Sequence, residues 1–175
     1  MRRRNLLKLG IAGAAALALA GGGAAWLYRA AWSDGRLTAT GRGVLSAVAR
    51  AVLDGSLPTD ELPQATAMAA HLDRMDATLR ALPPATQDEV ADLLALLALP
   101  PSRVALTGLS VDWARADTAQ IQSALQAMRT SHSSLRRQAY QALRDLTHAA
   151  YFSDRSTWTQ LGYPGPRDVA YGSLG

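Results

Sequence analysis

The sequence predicts an all-α protein, a single compact bundle of about five to six helices. Among 175 residues there are 35 alanines and 27 leucines but only 7 valines and 2 isoleucines. This ratio favours helices and disfavours strands. After Ser33, proline and glycine separate segments whose apolar residues recur at three- and four-residue steps, which is the spacing of amphipathic helices. The chain has no cysteine, which excludes disulfide frameworks, thiolate metal sites, cysteine nucleophiles and covalent c-type haem attachment.

The N-terminal region, residues 1–30, differs from the helical domain expected over residues 31–175. A basic start is followed by twenty residues without charge, from Leu9 to Tyr28. A basic region, an apolar region and small residues at its end are typical of an export signal. The start resembles the twin-arginine (Tat) signal, and the residues that carry this resemblance are Arg3, Arg4, Leu6, Leu7 and Lys8. The resemblance implies export in the folded state to the periplasm, through the Tat translocase.

Two fates of this segment remain open from the sequence. Small residues permit cleavage after Ala18 or Ala20. Twenty uncharged residues are also long enough to span a bilayer, and Trp26, Tyr28 and Trp32 are spaced like an interfacial aromatic belt. The segment is therefore either a cleaved signal or an anchor in the inner membrane.

The positive charge of the chain belongs to its N-terminal segment. From Ala30 onward thirteen arginines face fourteen acidic residues, although the whole chain has a formal charge of +4. A nucleic-acid-binding domain needs a basic face of its own. We therefore expect no nucleic-acid partner.

The first three helices are predicted from their apolar stripes and end signals. The first is expected to begin after Thr38 or Thr40 and to end near Leu53. The second is expected to follow Pro63 and to stop at the Pro83–Pro84 pair. Thr86 and Glu89 have the spacing of a capping box, which predicts the start of the third helix. Pro100–Pro101 is expected to end it.

The remaining elements follow the same signals. A short element is expected around residues 104–109, followed by a loop with Trp113. Asp117 or Thr118 is predicted to cap the next helix, and Ser133 or Ser134 the last long one. Asp154 can cap a short final helix that ends before Gly162.

The sequence contains no recognisable catalytic or cofactor site. The three histidines, His71, His132 and His148, are not spaced as ligand pairs, and we expect ordinary surface or partly buried side chains. The carboxylates fall at helix starts and on polar faces, and no phosphate loop or nucleophile elbow occurs. We therefore predict that this chain is not an enzyme and has no catalytic, cofactor-binding or metal-binding residues. The alternative is a stand-alone periplasmic or membrane-anchored protein with a cryptic metal, haem or catalytic site.

The C-terminal region concentrates the aromatic side chains, with six of the ten between residues 140 and 171. The sequence from Tyr163 to Pro166 cannot be helical, because each proline also restrains the residue before it. An extended aromatic tail either folds back over the bundle or binds another protein, where tyrosine and tryptophan side chains often dominate the binding energy. The candidate partner-binding residues are Tyr151, Phe152, Trp158, Tyr163, Pro164 and Pro166.

The stretch from Met128 to Pro166 resembles the gluconate 2-dehydrogenase subunit 3 family. The matching features are the Leu-Arg-Arg-Gln-Ala-Tyr start of the last helix, the Tyr-Phe-Ser-Asp junction at residues 151–154, and Trp158 followed by Leu-Gly-Tyr-Pro-Gly-Pro at residues 161–166. The segment Val44 to Pro58 resembles the N-terminal helix of the family more loosely.

The resemblance implies a non-catalytic small subunit that accompanies a large FAD-dependent dehydrogenase of the GMC type. Such a subunit binds the flavoprotein, provides its Tat signal and helps it to mature, often with a c-type cytochrome as electron acceptor. The resemblance implies no catalytic residue in this chain, and it implies that the FAD is bound by the partner subunit.

Overall fold

The structure, a computed structural model, describes residues 31–165. The residues of the predicted export signal and Pro166 lie outside this range. The described part is a mostly helical compact domain with six α-helices: α1 Ala39–Val52, α2 Glu61–Arg80, α3 Pro84–Ala98, α4 Pro100–Thr107, α5 Thr118–Arg129 and α6 Ser134–Phe152. A 3₁₀ helix follows at Arg155–Leu161. The predicted all-α class is confirmed.

A small β-hairpin precedes the helices and was not predicted. Its strands, β1 (Trp32–Ser33) and β2 (Arg36–Leu37), pair antiparallel. The turn residues Asp34 and Gly35 have φ angles of 53° and 73°, which suits the Asp-Gly sequence of a tight hairpin turn. A two-residue strand is too short to show an alternating pattern of apolar and polar residues. The Asp-Gly dipeptide was therefore the only sequence signal for the hairpin.

Four predicted helix starts are confirmed by their caps. The hydroxyl of Thr38 accepts a hydrogen bond from the Gly41 amide, and Ser133 caps α6 in the same way. Asp117 and Gln120 form a complete capping box at α5. Asp154 caps the 3₁₀ helix, and Gly162 ends it with a φ of 66°.

The prolines of three helices act differently from the prediction. Helix α2 begins at Glu61, so Pro63 lies in its first turn. Helix α3 begins at Pro84, and the predicted Thr86–Glu89 capping box does not form. Pro100 follows the end of α3 but also opens α4. Proline fits a first turn because its fixed φ is helical and its missing N–H would have had no partner there.

The core lies between α1 and the helices around it, because α1 packs on α2, α3, α5 and α6. The side chains that are almost fully enclosed are mainly aliphatic, and the largest are Leu45, Met75, Leu79, Leu94, Leu97, Ile121, Met128 and Leu143. Trp113 is also buried and its indole N–H donates to the Leu97 carbonyl at 2.7 Å. The packed helices therefore shield the hydrophobic core from solvent.

The direction of the helices defines two ends of the bundle. Arg42 in the first turn of α1 pairs with Asp76 near the end of α2 at 2.7 Å, so α1 and α2 are antiparallel. The Tyr151 hydroxyl at the end of α6 donates to the carbonyl of Ser56, in the α1–α2 connection. The β-hairpin lies at the end where α1 begins, and the last turn of α6 contacts both α2, through Arg74, and the connection that follows α1.

No helix within residues 31–165 is by itself both long and apolar enough to cross a bilayer. Helices α3 and α4 reach the required length and composition only when taken together, and they meet at 98°.

Candidate partner-binding site

The predicted binding residues that the structure describes lie in and just after the last turn of α6. Asp154 positions this region, because its carboxylate accepts a hydrogen bond from the Ser156 amide at 3.0 Å and pairs with Arg74 of α2 at 3.2 Å. The Ser156 hydroxyl also donates to this carboxylate at 2.8 Å. The hydrogen bonds from the Ser156 hydroxyl and amide, followed by the charge of Arg74, keep the pKa of Asp154 below its usual value. Arg74 also donates to the Ala150 carbonyl. One arginine therefore fastens both the last turn of α6 and the 3₁₀ helix to α2.

Tyr151 belongs to the core rather than to the surface. Its side chain is only 6% exposed, and its ring meets the His71 ring edge-on at 6.3 Å between centroids. With its hydroxyl bonded to Ser56 it links α6 to α2 and to the α1–α2 connection. A buried side chain of this kind stabilises the fold and offers little surface to a partner, unlike the other predicted binding residues that the structure describes.

The other aromatic residues form what we call the C-terminal aromatic cluster: Phe152, Trp158 and Tyr163. Phe152 is half-buried, packs on the core and lies 5.8 Å from the His148 ring. The Trp158 indole N–H donates to the Phe152 carbonyl at 2.7 Å, and its ring lies 5.4 Å from that of Tyr163. Tyr163 is 49% exposed. The cluster is an ordered aromatic surface at the edge of the core.

The first residues of the tail fold back on this cluster. The Tyr163 amide donates to the Trp158 carbonyl at 3.1 Å, and Gly165 lies against the indole ring. Pro164 is exposed. The guanidinium of Arg155 lies 5.8 Å from the centre of the same ring, a distance that allows a cation–π contact. Up to Gly165 the tail therefore packs on Trp158 and not over the core of the bundle.

The three histidines lie in different environments. His132 is exposed and His148 is half-buried, as expected. His71 is fully buried in α2, so its predicted surface or partly buried position is wrong. Neither of its ring nitrogens has a hydrogen-bond partner within the described residues. Burial, assisted by the nearby Arg74, lowers the pKa of His71 to about 4.

Outside the aromatic cluster, the described residues form an open depression but no group of metal ligands. Among residues 31–165, no three histidine or carboxylate side chains converge as metal ligands would. An open depression of about 380 Å³ lies between the α4–α5 loop and α5, and it is lined without a charged side chain by Thr107, Gly108, Leu109, Ser110, Val111, Gln120, Ser123, Ala124 and Ala127. Comparisons of the chain with protein-family models, with curated proteins and with solved structures found no match.

Proposed function

We propose that this chain is a non-catalytic small subunit of an exported FAD-dependent dehydrogenase complex of the GMC type, acting on sugars or alcohols. Its partner is the large flavoprotein subunit, which carries the FAD, and a c-type cytochrome would accept the electrons. The chain provides the Tat signal for the complex and supports maturation of the flavoprotein. The proposal places the protein in the periplasm.

The observation that carries the proposal is the C-terminal aromatic cluster. Trp158 and Tyr163 lie outside the hydrophobic core, while Phe152 connects them to it. Hydrogen bonds of Trp158 and Asp154 hold the backbone beneath them. Pre-ordered tryptophan and tyrosine side chains lose little conformational freedom on binding, which makes them effective contacts. The family resemblance falls on the same residues and supplies the identity of the partner.

Truncation of the cluster tests the proposal. We expect Trp158→Ala to weaken binding of the flavoprotein by about 2 kcal/mol, roughly thirtyfold in Kd. Tyr163→Ala should weaken it by about 1 kcal/mol, because this residue is half exposed before binding. The measurement is co-purification and titration of the complex after co-expression with a large FAD-dependent flavoprotein of the GMC type.

Val104→Ala is the matched control, since Val104 is an exposed apolar residue on α4, away from the cluster. It should leave assembly unchanged. Normal assembly of both cluster variants would contradict the proposed binding surface. A flavoprotein that binds FAD and is exported equally well without this chain would contradict the proposed function as a whole.

A further inference from the structure

Charge is distributed unevenly along the described domain. Residues 31–128 hold eleven acidic residues and seven arginines, whereas residues 129–165 hold five arginines and two acidic residues. The second range consists mainly of helix α6 and the 3₁₀ helix that follows it. The last part of the described chain is therefore positively charged, although the domain as a whole is nearly neutral.

The outer face of α6 carries two of these arginines. Residues 137, 141, 144, 148 and 152 are three or four positions apart, so their side chains follow one face of the helix. Arg137, Gln141 and Arg144 are exposed, and His148 and Phe152 are half-buried. The opposite side of the helix faces the core. The outer face is therefore about 22 Å long, and its first half is positively charged.

The helices that pack on α6 do not cancel this charge. Helix α6 packs on α1, α2 and α5, and neither α1 nor α5 contains an acidic residue. In α2, Asp73 and Asp76 both pair with Arg42. The third acid of α2, Glu61, is its first residue and lies about 15 Å along the helix from His71, which contacts the last turn of α6.

The partners of the two arginines within the domain are neutral or weak. Arg137 donates to the carbonyl of Ser131 at 2.6 Å, which leaves its positive charge in place. Arg144 contacts Asp145 at 3.7 Å, with side chains that are 44% and 67% exposed. An ion pair that is exposed on both sides contributes little and is screened by salt. Both guanidinium groups can therefore interact with acidic groups of another molecule.

The outer face of α6 leads directly into the C-terminal aromatic cluster. Phe152 ends this face, and its carbonyl accepts the indole N–H of Trp158 at 2.7 Å. Arg155 lies 5.8 Å from the centre of the same indole ring and adds a third positive charge. Burial, followed by the charge of Arg144, lowers the pKa of His148, so its ring is mainly uncharged at neutral pH. One protein surface can therefore cover the arginines and the cluster together.

We propose that the flavoprotein presents an acidic surface to the outer face of α6, and that Arg137 and Arg144 orient it for contact with the aromatic cluster. This inference rests on the proposed function, and it specifies the chemistry of the surface that the partner brings to this chain.

The arginines and the aromatic residues have different effects on binding. The field of exposed charges extends over about 10 Å at 0.1 M salt, so it acts before the two surfaces touch. Charges of this kind raise the association rate more than the affinity. Aromatic contacts form only in the final complex and slow its dissociation. We therefore expect the α6 face to determine the association rate and the cluster to determine the dissociation rate.

Reversal of the two charges tests this inference. The variant combines Arg137→Glu with Arg144→Glu, and stopped-flow mixing with a GMC-type flavoprotein measures its association rate at about 20 mM and about 500 mM salt. At low salt we expect this rate to be roughly tenfold lower than in the wild type, and at high salt nearly equal. The dissociation rate should change by less than about twofold.

Two control variants separate the α6 face from net charge and from side-chain shape. Arg36→Glu combined with Arg115→Glu makes the same change in net charge at exposed positions of the hairpin and the α4–α5 loop, and it should keep most of the association rate. Arg137→Lys combined with Arg144→Lys keeps both charges and should associate as the wild type does. Circular dichroism should show the same helix content in all variants.

The results separate this inference from the proposed function. If the wild type binds the flavoprotein at a rate that salt does not change, the inference is overturned and the proposed function stands. Equal losses in the α6 variant and the Arg36–Arg115 variant would also overturn it, because net charge would then be the cause. A flavoprotein that does not bind the wild type at all would contradict both.

The remaining occupants of a basic face are anionic lipid and a second copy of this chain. Flotation of the full chain with phosphatidylglycerol vesicles that is lost in the α6 charge-reversal variant would assign the face to lipid. A salt-sensitive dimer of the chain alone, measured by sedimentation and absent in the same variant, would assign it to a second copy. Either result would overturn the acidic protein surface.

Discussion

At the scale of the residue, His71 is the most unusual side chain of the described domain. It is fully buried between α2 and α6 and leaves both ring nitrogens without a hydrogen bond from a described residue. An unpaired buried polar group costs roughly 1–3 kcal/mol. Among the described residues, Arg74 is the charged side chain that acts on the pKa of His71, and it opposes protonation further. The imidazole is therefore held neutral in the folded protein.

We expect His71 to make the folded state sensitive to acid. Unfolding restores the pKa from about 4 to about 6.5, so the unfolded chain binds more protons between these values. The contribution to stability is complete above about pH 6.5, decreases as the pH falls, and is lost below about pH 4. The difference corresponds to about 3 kcal/mol. Urea unfolding of wild type and His71→Leu across this range measures it.

The His71→Leu variant should also be more stable at neutral pH, by about 1 kcal/mol, because leucine has no unpaired polar atom. His132→Gln is the control, since His132 is exposed and this change should leave the pH dependence intact. Burial also lowers the pKa of His148, so some dependence remains in the leucine variant. An identical pH dependence in wild type and His71→Leu would contradict this account.

At the scale of the element, the contact between α1 and the hairpin depends on one glycine. A Cβ atom on Gly41 would overlap the carbonyl oxygen of Ala31 and press on Leu37. Two residues later in the same helix, a Cβ on Gly43 would meet nothing within 4 Å. These two glycines therefore form a matched pair for substitution.

Gly43→Ala should stabilise the protein by about 0.5–1 kcal/mol, because alanine loses less backbone entropy in a helix. Gly41→Ala should instead cause a net loss of about 1 kcal/mol, because overpacking outweighs that gain. Thermal unfolding measures both changes. Hydrogen exchange of the Thr38 amide, which donates to Ala31, should become faster only in Gly41→Ala. Equal effects of the two substitutions would contradict the close contact.

The prolines show why helix ends are harder to predict than helix interiors. The pattern Pro83–Pro84 stops one helix, and its second proline begins the next. The same residue type is compatible with both roles, because it lacks the N–H that helix interiors need and first turns do not. The cap of α5, predicted at Asp117 or Thr118, is Asp117, and it was predictable because a capping hydrogen bond joins residues that are close in sequence.

At the scale of the whole molecule, the export signal and the proposed binding surface belong to different parts of the chain. The signal precedes the described domain, and the C-terminal aromatic cluster follows the last turn of α6. In the proposed complex the signal serves export, and the cluster binds the flavoprotein. A change in the signal should therefore affect transport without affecting assembly.

We expect Arg3→Lys combined with Arg4→Lys to retain the chain and its flavoprotein in the cytoplasm. The substitution keeps both positive charges. A loss of export would therefore show that the arginine side chains themselves are recognised, as the Tat resemblance implies. Cell fractionation and immunoblotting of both subunits measure it, and Arg2→Lys is the control. Circular dichroism should show an unchanged domain, since both residues lie outside the described fold. Normal export of the flavoprotein in this variant would contradict the predicted role of the signal.

By itself the sequence determined the helical class, most of the helices and four of their caps. These properties depend on composition and on residues three or four positions apart, which are neighbours within one helix. The apolar stripe of α2 predicted its buried Met75 and Leu79 for the same reason.

Only the tertiary structure decided which side chains are enclosed and which ends of helices meet. Tyr151 and Tyr163 are the same residue type twelve positions apart, yet one is buried against His71 and the other is half exposed. Gly41 and Gly43 likewise differ in their surroundings. Gly41 lies against the Ala31 carbonyl and the Leu37 side chain, whereas a Cβ on Gly43 would meet nothing within 4 Å. Burial and close approach are created by residues that are distant in sequence, and no local pattern contains that information.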